Sequence, residues 1–233
     1  MPVADAEWIS CIADIPSRPM GLAVVCHGLT GDSFGPGGLG RQLAEALAEA
    51  DLGVVRIDVR GGGDSSVALG QPTVSTMADD IRTVLNAPQL ADLSALPKVL
   101  CGVSLGAMSA AVAALRIDGV RAVIAVSSDI SDGDLRPWPT TWSRSHEHQV
   151  PDAFAADLSQ HQPRGQLLDM GISLSVLVGE HDRGAAHAKL LAGQGLAVEV
   201  IPGGDHLFQD QVARTDLLRR VRSHVRAATR PRT

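Results

Sequence analysis

Several sequence features that mark particular protein classes are rare or missing in this chain. It has three cysteines, Cys11, Cys26 and Cys101, an odd number without the short spacing of a metal site or the pattern of a disulfide framework. No apolar run is long enough to span a bilayer. The N-terminal residues lack the basic segment and the apolar run of a signal peptide. These absences predict a cytoplasmic protein with no membrane partner.

The chain lacks a net positive charge, and aromatic side chains are scarce as well. The formal net charge is -6, which argues against nucleic acid as a partner. The chain has no tyrosine, three phenylalanines and three tryptophans, so the nearby pair Trp138 and Trp142 stands out. Hydrophobic residues are plentiful, at 45% of 233 positions, and can build the core of one domain. The alanine- and arginine-rich, lysine-poor composition looks like that of a bacterium with a GC-rich genome.

Apolar runs alternate with segments of helical periodicity, which predicts parallel strands joined by crossover helices. Asp79 and Asp80 are predicted in the first turn of the second helix, where the helix dipole favours acidic side chains. Strands are predicted near residues 8–12, 20–26, 54–59, 99–103, 120–126, 173–178 and 197–201, and helices near residues 39–50, 76–85, 105–116, 185–194 and 208–228.

The periodic pattern breaks down after the strand that ends near Val126. The irregular stretch that follows is too long for an ordinary connection, so residues 128–165 are predicted to form a short cap or lid inserted into a single domain of residues 1–233. Trp138 and Trp142, four residues apart in this stretch, would share one face of a helix. They could pack the cap against the core or form the wall of an apolar acyl pocket, and both interpretations stay open.

The most informative segment is Gly102-Val103-Ser104-Leu105-Gly106, which lies between a predicted strand and a predicted helix. A serine on so tight a turn has a strained backbone, and glycines on either side leave room for it. Its hydroxyl then projects clear of the sheet, beside a helix N-terminus that favours a developing anion. The segment therefore predicts that Ser104 is a nucleophile.

A serine nucleophile needs a base, and the base needs an orienting acid. In a parallel sheet these groups should follow the carboxyl ends of strands, where ligands bind. His206 follows the last predicted strand and Asp182 follows the strand before it. Ser104, Asp182 and His206 thus occur in the chain order of a strand-positioned triad. Asp129, at the end of the strand after the elbow strand, stays open as an alternative acid.

Two further patterns are candidate ligand sites. The glycine-rich segment at residues 60–65 has no following lysine and does not have P-loop spacing, so it is interpreted as a structural turn. His146 and His148 would share a face only in a strand, and no third ligand is evident. The sequence therefore predicts no phosphate site, no metal and no cofactor.

The motifs together resemble the α/β-hydrolase family over nearly the whole sequence. The resemblance rests on the elbow around Ser104, the His27-Gly28 turn and the segments at residues 58–65, 179–182 and 204–206. The small size and the short cap look most like the carboxylesterase and cinnamoyl-esterase-like branch, with thioesterases and acylglycerol lipases nearby. The fold implied is α/β, with a mostly parallel sheet of about seven to eight strands flanked by helices.

The same resemblance implies a role for each matching residue. Ser104 would attack an acyl carbon, His206 would take and return the proton, and Asp182 would hold the imidazole. The backbone amides of Leu29 and Leu105 match the oxyanion hole, where each donor is worth roughly 3 kcal/mol of barrier. The implied reaction is hydrolysis of an ester or thioester of a small-to-medium, partly apolar acyl substrate.

Other candidates for substrate contact are less specific. His27 is expected to buttress its loop and, like Trp138 and Trp142, is a candidate lining residue. Arg183 follows Asp182 directly, where relatives often carry an apolar residue or proline. Its guanidinium could lower the pKa of Asp182 or bind an acidic group of the substrate.

Two alternative functions and one property stay open. The same fold and site could catalyse elimination, acyl transfer or cyclisation in a bacterial natural-product pathway, where the pocket excludes water. A non-catalytic binding module is disfavoured because Ser104, Asp182 and His206 are all present. The sequence makes no prediction of the oligomeric state.

Overall fold

The computed structural model describes residues 2–4, 7–66, 72–128, 130, 152–192 and 196–229. The strands are β1 (Pro2–Ala4), β2 (Glu7–Trp8), β3 (Cys11–Asp14), β4 (Gly21–Cys26), β5 (Leu52–Ile57), β6 (Lys98–Val103), β7 (Val120–Val126), β8 (Ser173–Gly179) and β9 (Ala197–Ile201). The α-helices are α1 (Leu39–Ala48), α2 (Val74–Leu85), α3 (Leu105–Ala114), α4 (Asp152–Leu158), α5 (Pro163–Asp169), α6 (Ala185–Ala192) and α7 (Gln211–Thr229). Short 3-10 turns lie at Pro36–Gly38 and Pro88–Leu93.

Seven of these strands form one sheet in the order β3-β5-β4-β6-β7-β8-β9. The pairs from β5 to β9 are all parallel, and only β3, at one edge, pairs antiparallel with its neighbour. Strands β4 and β6 are buried along their whole length, as expected for parallel strands covered on both faces. The prediction of an α/β fold with a mostly parallel sheet of about seven to eight strands is confirmed, and the sheet has seven.

Helices cover both faces of this sheet and divide the core into two layers. Helices α2 and α3 pack on one face, together with buried residues of α4, α5 and α6. Helices α1 and α7 pack on the other face, through residues such as Leu43, Leu217 and Val221. Every residue of α3 is buried, so the helix that follows Ser104 is held rigidly against the sheet. None of the helices in the described part of the chain has the length and hydropathy needed to cross a membrane.

Several predicted boundaries were wrong in detail, and the strand predicted near residues 54–59 is β5 at Leu52–Ile57. The stretch at residues 8–12 is not one strand, because β2 pairs with β1 while β3 joins the main sheet. Helix α2 begins at Val74, since Thr73 caps it, and so Asp79 and Asp80 lie beyond its first turn. The last helix begins at Gln211 rather than near residue 208.

Burial explains why Asp80 does not lie in the first turn of a helix, where acidic side chains are usually favoured. Asp80 is fully buried, and its carboxylate accepts hydrogen bonds from the backbone N–H of Arg60 at 2.8 Å and from the Arg60 guanidinium Nε at 2.7 Å. Burial raises the pKa of Asp80 even though these bonds act in the opposite direction. The residue therefore ties α2 to the loop after β5 instead of stabilising a helix N-terminus.

The predicted cap lies mostly outside the described residues. Residues 129 and 131–151 are among those not described, and with them Asp129, Trp138 and Trp142. The cap at residues 128–165 therefore stays a prediction. Its described end contains α4, which is fixed to the core through the fully buried Phe154. The Asp157 carboxylate of α4 also accepts a hydrogen bond from the backbone N–H of Ser75, in the first turn of α2, at 3.0 Å.

Candidate active site

Ser104 occupies the sharp turn between β6 and α3 with φ 54° and ψ -119°, a positive φ that non-glycine residues rarely adopt. Its backbone N–H donates to the carbonyl of Val126 at 2.8 Å. A Cβ added to Gly102 would lie 2.2 Å from the carbonyl oxygen of Gly106, and one added to Gly106 would lie 2.3 Å from that of His27. The predicted strain at Ser104, and the need for glycine on both sides, are confirmed.

The structure brings Ser104, His206 and Asp182 into one hydrogen-bonded series. His206 Nε2 lies 3.2 Å from Ser104 Oγ, and His206 Nδ1 lies 2.7 Å from Asp182 Oδ2. With Nδ1–H donating to the carboxylate, Nε2 can accept the serine proton. The three residues follow β6, β8 and β9, so the carboxyl ends of parallel strands meet as the sequence predicted.

Asp182 is buried, and its surroundings keep it ionised. Burial raises the pKa of its carboxyl, but hydrogen bonds from His206 and from the backbone N–H of Gly184, together with electrostatic attraction to His206 and Arg183, lower it further than burial raises it. The resulting pKa lies below the usual value for aspartate. Arg183 itself is exposed, and the described lining of the nearby cavity does not include it.

Two contacts hold the turn that carries His206. A Cβ added to Gly179 would lie 2.4 Å from the carbonyl oxygen of Gly204, so the end of β8 and the turn after β9 are in close backbone contact that only glycine allows. The Ser127 hydroxyl donates to the carbonyl of His206 at 2.7 Å. Ser127 is buried directly after β7 and has a φ of 53°. Sequence reasoning missed this residue, although a polar side chain at the carboxyl end of a parallel strand is the signal that located Asp182.

The two amides predicted for the oxyanion hole border Ser104. Leu105 is the first residue of α3, so its N–H lies at the helix N-terminus. Leu29 lies in the loop after β4, which approaches the elbow so closely that a Cβ added to Gly28 would be 3.3 Å from Ser104 Cβ. Among the described residues, neither amide hydrogen is donated to another protein group. Both donors are therefore available for a ligand.

His27 fixes the loop that carries Leu29. Its Nδ1–H donates to the carbonyl of Gly28 at 2.7 Å, and its Nε2 accepts from the backbone N–H of Val59 at 3.1 Å. Burial lowers the pKa of His27, despite the hydrogen bond to Gly28 and the carboxylates nearby. A neutral ring with both nitrogens engaged by backbone supports the interpretation of His27 as a buttress.

Asp58 joins the same loop to the glycine-rich segment after β5. Its carboxylate accepts hydrogen bonds from the backbone N–H groups of Ser33 and Asp64. Gly63 has a φ of 48°, and a Cβ there would lie 2.2 Å from the Asp58 carboxyl carbon. The glycines of residues 61–63 therefore serve a structural turn, which is the interpretation reached from the sequence.

A cavity of about 290 Å³ opens beside Ser104 and His206. This volume is at the lower end of the range for small-molecule sites, which suits a small or medium-sized group. The carboxylate of Asp32, in the same lining, accepts from the backbone N–H groups of Phe34 and Gly35. The apolar lining side chains are Val25, Leu29, Pro36, Leu39, Val103 and Leu207.

Comparison with known protein families identifies the architecture. Residues 17–186 match the sequence model of the family described as serine aminopeptidase, S33. The chain belongs to this family of α/β hydrolases. The match includes Ser104 and Asp182 and ends before His206, whose place in this hydrolase is known from its contacts with Asp182 and Ser104. No curated protein matches the sequence.

Solved structures share the fold of this hydrolase at low sequence identity. Est1E from Butyrivibrio proteoclasticus with bound ferulic acid is 18% identical, with a TM-score of 0.76 and coverage of 96% of both chains. Mouse alpha/beta hydrolase domain-containing protein 10 is 18% identical, with a TM-score of 0.71 and coverage of 97% of this chain and 96% of its own. Monoacylglycerol lipase from Paleococcus ferrophilus is 18% identical, with a TM-score of 0.69 and coverage of 96% and 100%.

Proposed function

We propose that this α/β hydrolase is a serine esterase that cleaves carboxylic esters or thioesters of small-to-medium, partly apolar acyl groups through an acyl-enzyme. The observation that carries the proposal is the series of hydrogen bonds from Ser104 to His206 to Asp182 at an apolar cavity of about 290 Å³. A hydroxyl, an imidazole and an ionised carboxylate in this order form the apparatus of nucleophilic acyl transfer.

In the first half-reaction, the Ser104 hydroxyl attacks the acyl carbon while His206 Nε2 takes its proton. Asp182, held ionised, stabilises the imidazolium and keeps Nδ1 protonated. The backbone N–H groups of Leu29 and Leu105 donate to the oxyanion of the tetrahedral intermediate. The imidazolium returns its proton to the leaving alcohol or thiol, and the acyl group stays on Ser104.

In the second half-reaction, water replaces the alcohol or thiol. His206 takes a proton from this water, which attacks the acyl carbon, and the proton then passes to Ser104 as the carboxylic acid leaves. Each step uses groups of this chain and water alone, so no cofactor is proposed.

The shape and chemistry of the cavity favour an acyl group with an apolar part. Leu29, Pro36 and Leu39 present hydrocarbon to the space next to Ser104, and Asp32 is acidic. An anionic acyl group is therefore disfavoured there. Two structures of the same fold support an ester substrate, because Est1E has ferulic acid bound and the Paleococcus ferrophilus protein is a monoacylglycerol lipase.

Labelling with a fluorophosphonate probe, combined with turnover of p-nitrophenyl esters, tests this proposal. The wild-type protein is expected to be labelled and to hydrolyse the esters. Ser104→Ala is expected to lose labelling and at least about 10⁴-fold of kcat, as for other serine nucleophiles. Ser94→Ala, which changes an exposed serine away from the elbow, is the matched control and should retain both.

Three other outcomes contradict the proposal in different ways. Labelling of Ser104→Ala would mean that another residue is the nucleophile. Labelling of the wild type without turnover of any ester or thioester would favour elimination, acyl transfer or cyclisation at the same site. Turnover of aminoacyl arylamides in preference to esters would indicate a peptidase, as in the description of the family.

A further inference from the structure

Arg214, in the first turn of α7, bridges two loops that both line the cavity. Its Nε donates to the carbonyl of Phe208 at 2.6 Å and its Nη2 to the carbonyl of Leu207 at 3.4 Å. Its Nη1 donates to the carbonyl of Gly37 at 2.7 Å. One half-buried guanidinium thus joins the turn after His206 to the Pro36–Gly38 turn.

We propose that Arg214 is a positioning residue that fixes the His206 turn relative to the wall of the cavity, and so sets both the turnover rate and the size of the acyl group that is accepted. The proposal rests on the esterase function proposed above. It concerns a residue that touches neither Ser104 nor the proposed acyl group and acts through two loops that do.

The chemistry of the side chain fits this task. A guanidinium presents five N–H donors in a rigid plane, so it can bind three carbonyl oxygens in fixed directions, whereas a lysine ammonium is a compact charge on a flexible stem. Gly37 has a φ of 56°, and a Cβ added there would lie 3.2 Å from both Nη1 and Nη2. Glycine at this position therefore allows the guanidinium to lie directly against the turn.

The backbone of the His206 turn depends on such contacts. The carbonyls of His206, Leu207 and Phe208 each accept a side-chain hydrogen bond, the first from Ser127 and the other two from Arg214. Phe208 is fully buried with a φ of 50°, and a non-glycine residue keeps this conformation only where its surroundings fix it. Without the contacts from Arg214, the imidazole should be less well aligned with Ser104.

The second loop connects Arg214 to the size of the cavity. Gly37 lies between Pro36 and Leu39, which both line the cavity, and Leu207 lines it from the His206 turn. Arg214 therefore fixes the distance between two walls of the cavity, the one formed by Leu207 and the one formed by Pro36. Losing the bridge should let these parts move apart and admit longer acyl chains.

Steady-state kinetics on p-nitrophenyl esters from acetyl to octanoyl test the proposal in Arg214→Lys and Arg214→Met. We expect kcat to fall by about 10- to 100-fold, since small misplacements of reacting groups cost this much. We also expect the ratio of kcat/KM for the octanoyl ester to that for the acetyl ester to rise at least about threefold. A loss of protein stability alone would not change this ratio. Arg219→Lys, an exposed position on the same helix, is the matched control and should resemble the wild type.

Hydrogen exchange measures the bridge without any substrate. In both Arg214 variants, amides at residues 33–41 and at residues 203–210 should exchange faster together, while those of β6 keep their wild-type protection. If the wild type hydrolyses none of the esters but both segments exchange faster in the Arg214 variants, the esterase proposal is wrong, whereas the role of Arg214 in joining the two loops still holds.

A variant of the second loop makes the test independent of how well the Arg214 variants fold. Gly37→Ala should displace the guanidinium and shift acyl selectivity in the same direction. Because both changes break one bridge, Gly37→Ala combined with Arg214→Lys should add little to either single change. Unchanged selectivity together with unchanged exchange at residues 33–41 in the Arg214 variants would overturn the proposal, as would additive effects in the double variant.

Discussion

The geometry of the proposed catalytic site depends on side chains that contact backbone rather than the proposed substrate. Ser127, Arg214 and His27 each bind carbonyls or amides of the two loops on either side of Ser104. Unmade hydrogen bonds to such half-buried backbone groups are costly, so each contact restricts the loops to a narrow set of positions. The rate of acyl transfer should therefore respond to residues that take no part in the chemistry.

At Ser127, the effect of the hydroxyl on catalysis can be measured separately from the effect of the backbone conformation on stability. Ser127→Ala and Ser127→Gly both remove the bond to the His206 carbonyl, and we expect each to lower kcat by about 10-fold with KM little changed. Glycine tolerates the φ of 53° better than alanine, so Ser127→Gly should be more stable than Ser127→Ala by about 1 kcal/mol. Kinetics and urea unfolding of the two variants measure these effects.

The paired substitution distinguishes positioning from stability. If kcat follows the free energy of unfolding, with Ser127→Gly close to the wild type, the hydroxyl has no role in holding His206. Equal losses of kcat in two variants of unequal stability support the role.

Residue-scale prediction from the sequence worked where a side chain itself carries the signal. Ser104, Asp182 and His206 are polar residues at or shortly after the ends of apolar strands, and the parallel topology brings strand ends together. Arg214 could not be found in this way, because its partners are the carbonyls of Gly37, Leu207 and Phe208. Every residue has a carbonyl, so only the three-dimensional path of the chain shows which of them meet.

At the scale of helices and strands, hydrophobic periodicity located most of the elements, though not α4 and α5, and tertiary contacts set their ends. Both boundaries of the strand at residues 120–126 agree with the prediction, because its apolar run is bounded by Gly119 and by polar residues. Helix α7 begins later than its periodicity suggests, since the Asp205 carboxylate accepts from the amides of Leu207 and Gln209 and forms a separate turn. A side chain that binds nearby backbone amides competes with helix formation, and the spacing of apolar residues does not show where this happens.

The docking of α4 onto α2 is a contact between elements that can be tested directly. The Asp157 carboxylate accepts the backbone N–H of Ser75 at the N-terminus of α2, where helix ends favour negative charge. Burial raises the pKa of Asp157, but hydrogen bonds from Ser75 and the nearby His161 lower it further. Asp157→Asn removes the charge and is expected to cost about 1 kcal/mol of unfolding free energy.

Urea unfolding measures this cost, and hydrogen exchange locates it. Faster exchange should be confined to α4 and the first turn of α2. Asp169→Asn, an exposed acidic position at the end of α5, is the control. Equal stability of Asp157→Asn and the wild type would mean that apolar packing, through Phe154 and Leu158, is enough to fix α4 to the core.

At the scale of the whole molecule, acidic groups join elements that are distant in sequence. Glu199 of β9 accepts hydrogen bonds from Arg220 and from His224 of α7, and His224 Nδ1 lies 3.0 Å from the Ser175 hydroxyl of β8. Asp216 also pairs with Arg220. This network fixes the last helix, whose first turn carries Arg214, to strands β8 and β9 at one edge of the sheet.

The network predicts how stability depends on pH. Burial raises the pKa of Glu199, but hydrogen bonds from Arg220 and His224 and electrostatic attraction to both side chains lower it further, so the folded value lies below the ordinary 4.5. A lowered folded pKa means that the unfolded chain binds the proton more readily. Glu199 therefore stabilises the fold above about pH 4.5, and this contribution is lost as the pH falls through the folded pKa.

Glu199→Gln should therefore be less stable than the wild type at pH 7, and the difference should shrink as the pH is lowered from 5 to 3. Urea unfolding across this range measures it. Glu45→Gln is the matched control, because the Arg41–Glu45 pair is largely exposed on α1 and surface pairs contribute little. A difference between Glu199→Gln and the wild type that stays constant down to pH 3 would show that hydrogen-bond geometry, and not the charge of Glu199, holds α7 to the sheet.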